Sequence, residues 1–182
     1  MILASRSPQR KAILEQLGVA FTVAAPGVEE LRAGEPHALV EENALRKARS
    51  VQSEELVLGA DTAVVIRGRV HGKPCDRAEA ERFLRELCGR EHEVMSGIAL
   101  RDARGERSAV AVTLVRFRAL GERELGWYLA SGEWEGRAGG YAIQGKGAAL
   151  VERIEGCYWN VVGLPVAALL ELEPDLIAAP RA

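Results

Sequence analysis

The sequence predicts a mixed α/β domain, a β-sheet flanked by helices, and three observations predict it. Short apolar and β-branched runs (ILAS, AFTVAA, LVLGAD, TAVVIRG) alternate with helix-length segments that open near Pro or Asp. Two longer runs of alternating polarity, HEVMSGIALRD and SAVAVTLVRFRAL, flank Ala103-Arg104-Gly105 and read as antiparallel strands. Finally, 182 residues with 48% hydrophobic and 27% charged side chains describe an ordinary globular chain. Such a chain buries a sizeable core as a single domain over 1–182, or as two small lobes around a cleft.

The elements follow in order. ILAS (2–5) is a strand, and a helix runs from Pro8 to Leu17, with Ser7 as N-cap, Pro8 at the first helical position and Gly18 as its stop. Arg10 and Lys11 fall in that helix's first turn, where the macrodipole disfavours cations, so an anion is expected to bind there. AFTVAA (20–25) is a strand ending at Pro26-Gly27, and residues 36–52 are helical with Pro36 near the start. Residues 56–61 and 62–68 read as two strands with a bend between them. A helix over 76–87 is capped by Asp76 and ended by Gly89; strands over 92–102 and 108–120 follow, then a short helix, Glu122–Ser131. GYAIQ and GAALVERI read as strands, Pro165–Leu172 as the last helix, and 173–182 as a tail.

Bulk properties exclude several classes. A formal net charge of −2 draws the chain neither to nucleic acid nor to an anionic membrane. No apolar stretch is long enough to span a bilayer, and Met1-Ile2-Leu3 leaves no room for a charged leader, so a cytoplasmic protein is expected. Cys75, Cys88 and Cys157 lack any metal-site spacing and read as reduced thiols. His37, His71 and His92 are too scattered to be argued as ligands. Trp127, Trp134 and Trp159 make no stacking platform interleaved with basic residues.

The candidate site begins on the helix at 36–52. At about 100° per residue, Val40, Ala44, Lys47 and Val51 fall within roughly 40° of one another, which puts Lys47 in the core-facing stripe. Either its stem packs while the ammonium snorkels to water, or the ammonium enters a cleft where an anion balances it. Asp61, at a strand end inside an apolar run, is costly unless paired or bound to metal; a turn-forming role in a tight bend is the alternative. Lys73 stands in a Gly-Lys-Pro turn, which by itself reads as a solvated loop. Glu29 and Glu30 close a strand, solvated or, with Asp61, part of an oxygen-only shell for Mg²⁺. Gly140–Gly147 misses the Walker A pattern by one residue and lacks its Ser/Thr, so its glycines serve close approach to a neighbour or a flat ligand. Ser5, Ser7 and Arg10 at a helix start, two further lysines and two carboxylate positions together suit a polyphosphate with a divalent cation.

On these residues the chain resembles the Maf family of nucleoside triphosphate pyrophosphatases, or septum-formation proteins. The segments ILASRSPQRKAIL, GVEE, ALRKA, VLGADTAVV, GKPCD, LCGREHEVMSGIAL, AGGYAIQG and GCYWNVVGLP carry the resemblance, in the family's order over residues 2–172. It implies a curved mixed sheet flanked by helices, like that of inosine-triphosphate pyrophosphatases, often in a homodimer. It also implies release of pyrophosphate from a nucleoside triphosphate, with Mg²⁺ or Mn²⁺ as cofactor. By resemblance Asp61 is the general base, Ser5, Arg10, Lys47 and Lys73 contact phosphates, and Glu30 with Asp61 serves the metal. Thr62 and Gln144 match the dTTP/UTP branch; a primary amide presents the donor and acceptor that uracil or thymine needs. Gln9 stands where that branch carries Arg. The alternatives are a purine (ITP or XTP) or 7-methyl-GTP pyrophosphatase, and a nucleotide-binding division regulator without turnover.

Overall fold

Seven strands join in one mixed sheet in the computed structural model, which describes residues 1–177. In chain order they are β1 (Ile2–Ala4), β2 (Thr22–Ala24), β3 (Val57–Ile66), β4 (Arg69–His71), β5 (Glu91–Asp102), β6 (Gly105–Phe117) and β7 (Val151–Glu155). The sheet order is β2-β1-β3-β5-β6-β7, with β4 paired to β3. β1 lies parallel to both β2 and β3, whereas β3–β4 and β6–β7 are antiparallel. Among the described residues six α-helices accompany it: α1 (Pro8–Gln16), α2 (Pro36–Arg49), α3 (Arg77–Leu87), α4 (Glu122–Ala130), α5 (Tyr158–Val162) and α6 (Val166–Leu172). The predicted mixed sheet with flanking helices is therefore present.

The chain divides into two compact units, the boundaries falling within β3, β5 and β6 and at the end of α5. The first comprises, among the described residues, 1–62, 96–111 and 163–177. Its buried side chains include Leu3, Leu14, Leu58 and Leu100, but where α2 meets the sheet they are small, Ala4, Ala44, Ala48, Val57 and Ala99, which lets the helix lie close. Two glycines make that approach possible. A Cβ on Gly59 would stand 2.1 Å from the Ala44 carbonyl oxygen, and one on Gly97 2.2 Å from that of Val40. The core of the second unit, 63–95 and 112–162, includes Val64, Ile66, Leu84, Leu87, Phe117, Tyr128 and Tyr141.

Several predicted elements differ. β3 is one continuous strand rather than two with a bend, because it is buried almost throughout, as a central strand is. Asp61 thus lies mid-strand, and the tight-bend reading falls. β4, not expected from the sequence, pairs with β3 through a turn at Arg67-Gly68, both with positive φ, the geometry a two-residue hairpin needs. GYAIQ is not a strand: residues 138–140 make a 3₁₀ turn, and the Gly145 N–H bonds the Ala142 carbonyl at 3.1 Å. Local turn bonds there outcompete the ladder. Lys146–Leu150 likewise coil as 3₁₀ helix, so the following strand begins only at Val151. α5 was not expected, being only five residues long. At the first helix, Ser7 occupies the N-cap position but makes no capping bond; its hydroxyl donates to Gln9 Oε1 at 3.0 Å. The predicted tail lies outside the described residues from 178 onward. Before that, Glu173 is buried and paired with Arg104 and Arg107, and Pro174–Ile177 form a 3₁₀ turn.

The three cysteines are free thiols. Among the described residues no helix is long and apolar enough to cross a membrane.

Candidate active site

α2 carries the centre of the site because its approach to β3 sets its inner face against Asp61. Lys47, only 4% exposed, directs its ammonium to Asp61 Oδ1 at 2.7 Å and to Glu30 Oε1 at 2.6 Å, and donates to the Ala60 carbonyl at 3.1 Å. Of the two readings of Lys47, the structure shows the ammonium balanced by anions, not snorkelled. One turn earlier, Asn43 donates to Asp61 Oδ2 at 2.9 Å. Each carboxylate oxygen of Asp61 therefore has its own donor from α2. Glu30 reaches in from the irregular segment between β2 and α2, its side chain 45% exposed. Glu29 is exposed.

Arg10 turns inward from the first turn of α1 and is buried. It donates from Nε to the Gly163 carbonyl (2.9 Å), from Nη1 to Ser5 Oγ (3.0 Å) and the Ala60 carbonyl (2.9 Å), and from Nη2 to Thr62 Oγ1 (3.0 Å). Burial pulls its pKa down, and the charges of Asp61 and Glu30 oppose that pull. A guanidinium remains protonated in either case. Ala60's carbonyl thus serves both cations. The Thr62 hydroxyl is also 2.9 Å from Ser96 Oγ, so its polar capacity is spent within this unit. Gln9 is half-buried beside Ser7.

Ser5, Arg10, Glu30, Lys47, Asp61 and Thr62 accordingly gather in the first unit, linked through Lys47, Arg10 and the Ala60 carbonyl. Lys73 and Gln144 belong to the second. Lys73 is exposed in the loop from β4 to α3, and Gln144 is exposed in the turn at 143–145. Within that unit the two segments are tied, since the Gly139 N–H bonds the Gly72 carbonyl at 3.0 Å. The Gln144 turn is braced from both sides: the Ala142 N–H donates to the Tyr128 hydroxyl (3.1 Å) and the Lys146 N–H to Glu133 Oε2 (2.6 Å).

Asn43, Ser96, Tyr128 and Glu133 went unnoticed in the sequence. For Asn43 a signal exists: an asparagine in mid-helix, a poor helix former, stands four residues before Lys47 and hence on its face. Among the described residues no group of three or more His, Cys, Asp or Glu side chains could hold a metal ion. Glu30 and Asp61 nevertheless converge on one cation, the Lys47 ammonium, with oxygen donors only. Two carboxylates of that kind fit a hard ion such as Mg²⁺, which keeps waters and takes substrate oxygens for its remaining positions.

A family model for Maf-like proteins matches residues 1–173. The chain belongs to that family. A relative from Symbiobacterium thermophilum, named dTTP/UTP pyrophosphatase, is 49% identical, the alignment covering 94% of this chain and 91% of the relative. One of the same name from Pelotomaculum thermopropionicum is 47% identical, with 94% of each chain covered. Among solved structures, the Staphylococcus aureus Ham1 protein aligns with a TM-score of 0.47 and 15% identity over 64% of this chain and 70% of that one.

Proposed function

We propose that this Maf protein hydrolyses dTTP, UTP and related or modified nucleotides to the monophosphate and pyrophosphate. The observation that carries the reading is the Asp61 carboxylate, buried mid-strand and held by Lys47 with Glu30 alongside. The names of the relatives supply the substrate class. A divalent cation, Mg²⁺ or Mn²⁺, held by Glu30 and Asp61, would neutralise part of the triphosphate's charge.

Asp61 takes a proton from a water molecule as the water oxygen bonds to the α-phosphorus. The bond from that phosphorus to the α–β bridging oxygen breaks, and pyrophosphate leaves with the electron pair. Lys47, with Ser5 and Lys73, stabilises the departing charge. Arg10 already donates to four protein oxygens, so its share is that of a fixed positive charge, not of a free donor fork. Gln144 reads the base through its amide, while Thr62 and Gln9 tune selection from beside Arg10 and Ser7. The assignments of Lys73 and Gln144 to the same nucleotide rest on the motif resemblance.

Pyrophosphate release from a panel of common and modified triphosphates, with Mg²⁺ or Mn²⁺, tests this reading. dTTP and UTP are expected among the best substrates, and Asp61→Asn should lower kcat by about 10²–10⁴-fold while nucleotide still binds. Full turnover by Asp61→Asn would remove the base assignment, and a preference for ITP or XTP would move the substrate to the purines.

A further inference from the structure

We propose that Asn43 is a positioning residue, one side-chain amide that orients the Asp61 carboxylate and anchors the segment delivering Glu30. The inference rests on the pyrophosphatase reading above and adds a residue to it. Asn43 is buried at the middle of α2, where asparagine is a weak helix former and an unpaired amide is costly. Every principal valence is used. One Nδ2 hydrogen goes to Asp61 Oδ2 (2.9 Å) and the other to the Leu31 carbonyl (3.0 Å), while Oδ1 accepts the Leu31 N–H (2.7 Å).

This pattern determines which way the amide faces. Turned over, its oxygen would confront the Leu31 carbonyl and the Asp61 carboxylate, and its nitrogen would confront the Leu31 N–H. The amide thus pairs with Leu31 as a neighbouring strand would, in a segment that has no regular structure from Ala25 to Glu35. Leu31 directly follows Glu30, so the tether sets where the Glu30 carboxylate meets Lys47. Meanwhile Asn43 and Lys47, one helical turn apart, each take one oxygen of Asp61 and so fix the plane of its carboxylate. Both carboxylates are referred to a single rigid helix. Neither leucine nor aspartate, the side chains nearest in size, can do both jobs.

Two variants separate the parts of the proposal. Asn43→Leu removes all three bonds; Asn43→Asp still accepts the Leu31 N–H but cannot donate to Asp61. Hydrogen exchange at the Leu31 amide should accelerate at least about tenfold in Asn43→Leu and much less in Asn43→Asp. With dTTP or UTP, kcat should fall about tenfold to a hundredfold in both variants, and KM by a far smaller factor, because orientation at the reacting centre is what is lost. An unchanged Leu31 exchange rate in Asn43→Leu, or an unchanged kcat in Asn43→Asp, overturns the proposal. Should Asn43→Leu fail to fold, the near-isosteric Asn43→Asp carries the kinetic test. A wild-type protein that releases no pyrophosphate defeats the activity reading instead, and the exchange comparison still decides whether Asn43 ties the segment.

Discussion

At the residue scale, Lys47 shows how little net stability a buried ion pair adds. Its ammonium and the Asp61 carboxylate both give up hydration, and their attraction in a low-dielectric setting roughly offsets that loss. An apolar pair would pack as well; what the ion pair adds is a carboxylate fixed in place. His92 is a buried ionisable group held neutral. It lies edge-on to Phe117 and Tyr141, with Nε2 2.9 Å from the Tyr141 hydroxyl. Burial, with a smaller push from His71, lowers its pKa to about 4. The unfolded chain, with a histidine near 6.5, binds this proton more readily than the native state. Stability is therefore fully present above about pH 6.5 and is lost as pH falls from there to about 4, to the extent of roughly 3 kcal/mol. Urea unfolding across that range should show the decline, and His92→Gln should flatten it. An equal slope in the variant would assign the decline to other groups.

At the scale of elements, the site depends on how closely α2 lies against the sheet. Gly59 and Gly97 leave its backbone resting on theirs, and no flexible side chain there can move aside. Gly59→Ala should therefore cost about 1–3 kcal/mol in stability. It should also lower kcat disproportionately, since the same displacement carries Asn43 and Lys47 away from Asp61. Thermal unfolding and pyrophosphate release measured on one preparation separate the two effects. A variant with lowered stability and wild-type kcat would show that the site tolerates the shift. α2's own sequence supports its start, for Glu35 caps it by accepting from the amides of His37 and Ala38.

For the whole molecule, the strands β3, β5 and β6 each contribute residues to both compact units. The substrate assignments are likewise divided, Lys47 and Asp61 in the first unit, Lys73 and Gln144 in the second. Anything that binds the native state alone raises apparent stability, by about 2.7 kcal/mol at a hundredfold excess over Kd. A non-hydrolysable dTTP analogue with Mg²⁺ should accordingly raise Tm, and Lys73→Ala should diminish the rise without altering the Tm of the free protein. Calorimetry checks both. An undiminished rise would remove Lys73 from the nucleotide's contacts.

What the sequence by itself determined was periodic or local. The helical stripe put Lys47 inward, the capping residue Asp76 began α3, and apolar alternation marked β5 and β6. Such signals are written within a few residues of where they act. The glycine-rich segment after Arg137 misled for the same reason, its apolar alternation being overruled by turn bonds between near neighbours. Tertiary structure alone decided that Asp61 lies mid-strand, that Glu30 meets Lys47, that Arg10 spends its donors on the protein, and that Asn43 joins Leu31 to Asp61. Apart from the bond between Arg10 and Ser5, those pairings cross 12 to 153 positions of chain. Burial of opposed charges and amides selects them, and burial is a property of the folded assembly rather than of any window along the chain.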